Sequence, residues 1–436
     1  MGARVGAQDS ASTRSAAVRS AATRLPPAVR TVSLDEAVQL ALAANPDLVR
    51  DTGAVRAARA ADRTARAAFL PTLSLESNIL RSSTPSPLSQ PGAIAGIADR
   101  TSAAGVAANL DLFTGGRRGA DVRRSAADVD ASEAGLVARR FDVMLVAERA
   151  VFDALRAADL VRVQQARVTR AEQGVAYARH RHDAGVVTRS DELRARLELS
   201  QARAALAETD GDLRTARYTL GRVVGIDGPV DASPTDAIAP HPLALADSAI
   251  VDLVTTSAPV VHSAEAAERA AGATVRAARS RYAPVVQLGG AYRVVGQPNG
   301  VTPGTRDPVW ALRLGLSYPL FDGLQREEGV TRARADNEAA IAVSRDTRRG
   351  ARVDAERALE TLRVAETRIG LATEGVQVAT EDLRVVQVRY QAGAASILDL
   401  ITSQTNLSTA ESTLVDARFD YAEARAELSA LAGRTL

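Results

Sequence analysis

The 436 residues contain no cysteine and no lysine, only two methionines and one tryptophan. Without cysteine there is no disulfide, no thiolate metal ligand and no lipid-modified cysteine within these residues. All 54 basic residues are therefore arginine, set against 52 acidic ones, and the formal net charge is +2. The two signs are interspersed, with no basic stripe to follow a nucleic-acid backbone and no acidic tail. Aromatics are 3% of the chain, too few for a large aromatic core. No run of 18 apolar residues occurs, so no transmembrane helix is expected. A membrane β-strand needs only about 9–11 alternating residues and is not excluded by that. Four histidines and neither lysine nor cysteine leave few nucleophiles or bases, and no Gly-rich phosphate loop, HExxH or G-x-S-x-G is present. Neither an enzyme nor a cofactor is expected. His180 and His182 are two apart, so they point to different sides of a helix, and no third ligand is near in sequence. No metal site is expected.

Proline is missing from two long tracts, 114–228 and 322–436. Each reads as a helix of about 70 residues, a break at Gly185 or Gly393, and a returning helix. At ~1.5 Å per residue the first helix spans about 100 Å. An average globular helix has about 11–12 residues, so this one does not belong to a compact globule. Its apolar positions recur every seven residues: Leu362, Ile369, Val376, Leu383 and Tyr390 in one tract, Val161, Val168 and Val175 in the other. The returning helices repeat the pattern in Leu400, Leu407, Leu414, Tyr421 and Leu428, and in Leu199, Leu206, Leu213 and Leu220. A sustained seven-residue repeat means coiled-coil packing, and abundant alanine lets helices approach closely. At each break glycine supplies the positive φ of a helix end. Ser190 and Ser396 stand where they can cap the returning helices.

The chain also contains itself twice. "NPDLVRDTGAVRAARAADRTARAAFLPTLSLES" from Asn45 matches "APVVHSAEAAERAAGATVRAARSRYAPVVQLGG" from Ala258, with Pro46, Phe69 and Pro71 paired to Pro259, Tyr282 and Pro284 at a separation of 213. Further on, Phe113, Gly185 and Leu220 pair with Phe321, Gly393 and Leu428 at a separation of 208. The change of five falls between Pro71 and Phe113, where a surface loop is expected, because insertions collect at exposed loop tips. That segment reads as a β-hairpin in each half, opening at a proline where a strand can start and interrupted by a Pro/Ser/Gly loop. The clearest strand is "VWALRLGLSYPLF", in which Trp310, Leu312, Leu314, Leu316 and Tyr318 alternate with Ala311, Arg313, Gly315 and Ser317. One face is apolar and the other small or polar. A half-buried strand of a soluble sandwich would show the same pattern, but four strands per chain are too few for a sandwich and suit a barrel built by several chains.

The fold class is thus mainly α with a small β part, in two tandem repeats. Residues 1–30, Ala/Ser/Arg-rich and without an apolar stretch, read as a disordered leader and not as a complete secretory signal. Repeat 1 covers 31–228, with a β-hairpin about 71–113 and a helical tip about 183–190. A Pro/Asp-rich linker follows at 229–247. Repeat 2 covers 248–436, with a β-hairpin about 284–321 and a tip about 391–398.

With its order, duplication and spacing, the chain from about Thr31 to its end resembles the TolC family of outer-membrane efflux proteins. "SLDEAVQLALAANPDL" is like that family's opening helix and Asn-Pro turn. "AAFLPTLSLES" and "SRYAPVVQLGG" are like its helix-to-strand junctions, "LDLFTGGRRGADV" and "LSYPLFDGLQR" its strand-to-helix junctions, and "RYQAGAASILDLITSQTNL" its periplasmic tip. The resemblance implies a homotrimer. Each chain gives four strands to one 12-stranded outer-membrane barrel, and the helices continue it as an α-helical barrel across the periplasm. Residues near 226–257 and the C-terminal tail would form an equatorial belt.

It implies a passive exit duct of a tripartite efflux or type I secretion system, coupled to a periplasmic adaptor and an inner-membrane RND or ABC transporter. In the barrel Trp310, Leu312, Leu314, Leu316 and Tyr318 would meet outer-membrane lipid, while Arg313, Ser317, Asp111 and Asn109 would face the lumen. Asp191, Asp399 and Tyr390 fall where the family has its periplasmic gate, and three copies of Asp399 would favour cations. Both aspartates also sit in a first helical turn, where they would complement the dipole. Some relatives carry a second acidic residue one turn on, where this chain has Thr402. Gly185, Val186, Thr188, Gly393, Ala394 and Ser396 match the tips that dock the adaptor, although an ordinary αα-turn would use the same residues. A soluble coiled-coil scaffold would explain the helices and leave the Trp310–Tyr318 strand unexplained. A self-contained porin would need at least eight strands from one chain.

Overall fold

The structure, a computed structural model, describes residues 30–82, 99–296 and 306–435. The leader expected at 1–30 lies outside it but for Arg30, and so do the two hairpin loops that would hold the length difference between the halves. Arg30 is not part of a loose leader. It opens β1 (Arg30–Val32), which pairs in parallel with β4 (Val230–Ala232) in the segment between the repeats. The backbone there finds its hydrogen bonds in a ladder, and Val32 and Val230 are fully buried beneath it.

Between β1 and β4 the first half runs α1 (Leu34–Ala44), α2 (Pro46–Ala67), β2 (Thr72–Ser82), β3 (Asp99–Phe113), α3 (Arg117–Asp183) and α4 (Arg189–Val224). The second half repeats it as α5 (Asp247–Ser257), α6 (Pro259–Arg279), β5 (Val285–Gly296), β6 (Arg306–Ser317), α7 (Gln325–Gln391) and α8 (Ile397–Ala432). Ser33 caps α1 by accepting from Glu36 N–H at 3.2 Å. Asn45 caps α2 by accepting from the N–H groups of Asp47 and Leu48, at 2.9 and 3.2 Å, with Pro46 in the first turn where its missing N–H costs nothing. The paired turn has Ala258 before Pro259 and no side-chain cap.

α3 and α7 are 67 residues each, which at ~1.5 Å per residue gives about 100 Å. Toward the tips the order across the layer is α4, α3, α8, α7; toward the sheet α2 and α6 replace the returning helices against α3 and α7. Along the seven-residue seam Val161, Leu213, Leu220, Leu362, Leu383, Tyr390, Leu400, Leu407, Tyr421 and Leu428 are buried, and the remaining members are half-buried. Each fully buried leucine contributes about 1.5–3 kcal/mol, so the seam carries the hairpins. The boundary between the halves, α3 against α8, is laced differently. Arg149, Arg156 and Arg170 reach Glu427 at 2.7 Å, Glu423 at 2.6 Å and Glu411 at 2.8 Å. Spaced by sevens, these arginines keep one face of α3 on one face of α8.

A belt wraps one side of the layer. α1 covers Val143 and Ala147 of α3, and α5 packs Ile250 and Val254 on Ala355, Leu359 and Leu362 of α7. Positions 143 and 147 correspond, 208 residues on, to 351 and 355, so both short helices sit on equivalent faces. The linker at 229–247 is tied down rather than loose: besides β4, the Tyr421 hydroxyl accepts from His241 N–H at 3.0 Å and donates to His241 O at 2.9 Å.

Within the belt Glu148 of α3 is held to about pH 7 for its titration, first by burial and then by the nearby charge of Asp35. A carboxyl whose folded pKa is raised binds more protons folded than unfolded from about 4.5 to 7. Stability therefore falls across that window as pH rises, and stays lowered above it. Glu148→Gln should raise the thermal midpoint at pH 8 by an amount equivalent to on the order of 1 kcal/mol, allowing for solvent screening, and change it little at pH 4. Equal effects at both pH values, followed by circular dichroism, would sink this assignment.

Candidate functional site

One end of the chain is a single antiparallel sheet in the order β2-β3-β5-β6. Its register puts apolar residues in rows across all four strands: Leu73, Ala108, Gly290 and Leu312, then Leu75, Val106, Tyr292 and Trp310. Leu110, Leu288 and Leu314 form a third row, and Leu316 joins Val286 beyond it. Trp310 is 77% exposed and Leu75 83%, and Leu312, Leu314 and Leu316 are nearly as open, while Leu110, Val286 and Leu288 are half-buried, so most of the outer part of this face is uncovered by the described residues. Tyr318 lies one residue past the end of β6, also exposed. A bulge at Leu112 turns Phe113 to the apolar side opposite Val286.

The opposite face carries Arg313 in a row with Thr72, Asn109 and Gly289, and Asp111 in a row with Gln287 and Gly315. Gln287 donates to Asp111 at 2.9 Å, Arg117 stands 3.6 Å from it, and Arg293 stands 3.7 Å from Glu76. Sequence reasoning singled out Asn109, Asp111 and Arg313 and passed over Glu76, Gln287 and Arg293. The period of two in "VVQLGGAYRVV" already put the last two on this face. β2 and β6 are the sheet's edges, and their outer N–H and C=O groups have no strand beside them among the described residues.

Where sheet meets helix, Arg118 lies over the ring of Phe69 at 4.6 Å and Arg326 over that of Tyr282 at 5.1 Å. The arginines are repeat mates, as are the rings. Each such contact is worth about 0.5–1 kcal/mol where exposed, and it sets the angle at which a long helix leaves its strand. The sequence showed the aromatic pair and not its cation. The same junction places Gly116 in the left-handed region in the first half and Leu324, at φ 67°, in the second. For leucine that conformation costs about 1–2 kcal/mol.

The other end holds the two helical tips. Gly185 and Gly393 have φ of 74° and 80°, and past them Val186 and Ala394 N–H return to the carbonyls of Arg181 and Arg389 at 2.9 and 2.8 Å. This closes each long helix. Val186 and Ala394 are exposed. Ser396 caps α8 as expected, but Ser190 does not cap α4: Thr188 does, because Asp191 three residues on returns a bond to its N–H. Asp399 closes the same box in the second half, accepting from Ser396 N–H and from its hydroxyl, both at 2.8 Å. Those bonds, the backbone one first, hold the Asp399 carboxyl below its usual range. So both aspartates act as helix caps here, and the Asp399 side chain stays exposed.

Tyr390 is 2% exposed. It lies in a cluster with Leu383, Ile397 and Leu400 of its own hairpin and Ala178 and Ala195 of the other. Arg181 from α3 sits over its ring at 4.8 Å and donates to its backbone carbonyl. Burial pushes the phenol above its usual range, opposed by the charge of Arg181. Thus Tyr390 and Arg181 join the two tips. Arg181 was not foreseen, and its signal is weak, since arginine is the commonest charge in the chain. His182 is turned to Val187 O at 3.3 Å. No helix is long and apolar enough to cross a membrane among the described residues.

The sequence profile described as outer membrane efflux protein matches residues 37–226 and 250–434. The chain is 27% identical over 390 residues to Protein CyaE of Bordetella pertussis, covering 87% of this chain and 80% of that one. It is 26% identical over 379 residues to outer membrane efflux protein BepC of Brucella suis, with 85% and 78% covered. A solved membrane protein from Pseudomonas aeruginosa superposes with a TM-score of 0.79 at 22% identity, over 93% of this chain and 91% of that one.

Proposed function

The chain belongs to the outer membrane efflux protein family, and from that premise we propose that three copies close its sheet into one barrel. It is an outer-membrane efflux channel with a periplasmic helical extension, in a family and fold of channels rather than enzymes. Members of the family work with adaptors and inner-membrane transporters. The observation that carries the closure is the sheet itself: an exposed apolar face, a polar reverse face and two unpaired edges on four strands. In hydrocarbon unpaired backbone groups cost several kcal/mol each, so the β6 edge of one copy takes the β2 edge of the next. Twelve strands then put Trp310, Leu312, Leu314, Leu316 and Tyr318 against lipid and Asn109, Asp111, Arg293 and Arg313 around a wet lumen. The duct is passive. It takes its cargo from a periplasmic adaptor with an RND or ABC pump, in efflux or type I secretion, and the pump supplies the energy.

At the far end Gly185, Val186, Thr188, Gly393, Ala394 and Ser396 form the adaptor-docking tips, and Asp191, Asp399 and Tyr390 the gate. The exposure of Val186 and Ala394 supports docking, and the exposed carboxylate of Asp399 supports a cation-favouring ring. The caps they also make are compatible with both.

Electron microscopy of the protein in detergent should show a threefold tube with helices about 100 Å long and a detergent belt at one end. Rods without a belt, as one or two copies, would mean a soluble coiled-coil scaffold. Asp399→Ala should weaken block of single-channel current by multivalent cations at least severalfold, whereas Ser396→Ala, which removes the serine's cap and its hydroxyl bond to Asp399 but keeps the carboxylate, should leave it nearly unchanged. Equal behaviour of the two variants reduces Asp399 to a cap. Ala394→Asp should abolish capture of the adaptor by the intact trimer, and undiminished capture would remove the tips from the docking surface. Gly393 is a poorer choice for that test, because at φ 80° any side chain strains the turn.

A further inference from the structure

The two halves fill the groove between their long and returning helices differently. In the first half Arg167 of α3 reaches Glu198 of α4 at 2.8 Å, and the pair is sunk between the helices with side chains 18% and 7% exposed. The corresponding positions in the second half, 208 residues on, are Gly375 of α7 and Asn406 of α8. Gln164, the neighbour of that ion pair, corresponds to Ala372. Three large polar side chains are thus replaced by one small amide, one methyl and no side chain. A Cβ added to Gly375 would meet nothing within 4 Å. The space left is a cavity of about 570 Å3 between α7 and α8, within the ~300–1,000 Å3 of small-molecule sites.

Its floor and walls are apolar, from Leu371, Ala372, Ala410 and Ala417, and Leu371 is 65% exposed at the rim. Its charged members are not alike. Asp420 is held by Arg156 at 3.3 Å and by Arg368 at 3.8 Å. Asp416 has no such ion pair among the described residues, and partial burial pushes its carboxyl up, with Arg156 opposing and Asp420 adding. An apolar hollow with one carboxylate outside any ion pair suits a ligand with a flat apolar body and a single positive charge. The hollow faces away from the belt. α5 sits on the side of α7 that carries Ala355, Leu359 and Leu362, while Arg368, Leu371 and Gly375 lie about half a turn round. With the belt outside a closed barrel, that side lines the bore.

We propose that the cavity between α7 and α8 is a binding site in the wall of the duct for aromatic organic monocations, with Asp416 as its counter-charge. In the first half the Arg167 and Glu198 pair fills the equivalent positions. Its place in the bore rests on the duct reading above. Binding of ethidium can be measured by isothermal titration into the protein in lipid nanodiscs, against empty nanodiscs. Saturable binding is expected, weakened at least fivefold in Asp416→Asn and abolished in Gly375→Arg/Asn406→Glu, which rebuilds the first-half pair in the second half. Wild-type binding no greater than that of empty nanodiscs, or unchanged affinity in Asp416→Asn, overturns the proposal. Asp416→Asn, nearly isosteric, decides the matter if the double variant does not assemble. Single-channel conductance of the same wild-type preparation separates the two claims. Conductance without ethidium binding removes the site and leaves the duct; a chain that binds but does not conduct removes the bore placement and the duct.

Discussion

A backbone N–H or C=O inside hydrocarbon has to find its partner within the protein, because no water is there to replace it. One chain meets that demand along three of its strand pairs and fails at both outer edges of the sheet. The rest of the molecule is arranged around this shortfall. The apolar rows running from Leu75 to Trp310 have no core to cover them among the described residues. The long helices continue from the strands at junctions where Arg118 and Arg326 clamp an aromatic ring. If the sheet joins others sideways as proposed, the helices below it take the same sideways order, which accounts for a single layer in place of a bundle.

Duplication repeats one frame along the layer, and the two copies diverge at particular positions within it. α1 and α5 lie on equivalent faces of α3 and α7, and the junction clamps are equivalent in both halves. Elsewhere the copies part. The left-handed junction position is glycine in one half and Leu324 in the other. Where the first half has the buried ion pair of Arg167 and Glu198, the second has a hollow at Gly375 and Asn406. Small, local substitutions on a repeated frame leave the frame intact because each seam is built from many separate contacts.

The tips combine two demands in the same few residues. Ending a 67-residue helix and starting the next requires glycine at positive φ and a capping box, and Asp191 and Asp399 satisfy the latter. The Asp399 carboxylate still carries its charge, and its hydrogen bonds to Ser396 only keep it ionised to lower pH. Tyr390 has the opposite character. It is buried, and with Arg181 it fastens one hairpin to the other, so movement of the tips would have to break that contact.

The mainly helical class, the long paired helices, the glycine breaks and the strand with Trp310 were all legible in the sequence. Each rests on a local rule: the absence of proline, a period of seven, a positive φ, a period of two. The same rules did not by themselves pick the residue that caps α4: that needed the capping-box spacing, Asp191 three residues after Thr188, which the sequence also carries. Nor could they show that Arg30 joins a strand 200 residues away, that Arg181 covers Tyr390, or that a cavity opens at Gly375. Periodicity along the chain determined which elements form and which of their faces are apolar. Only the tertiary structure decided which arginine meets which partner, because that depends on distances between segments far apart in the chain, and a charge carried on a flexible side chain leaves no period to read.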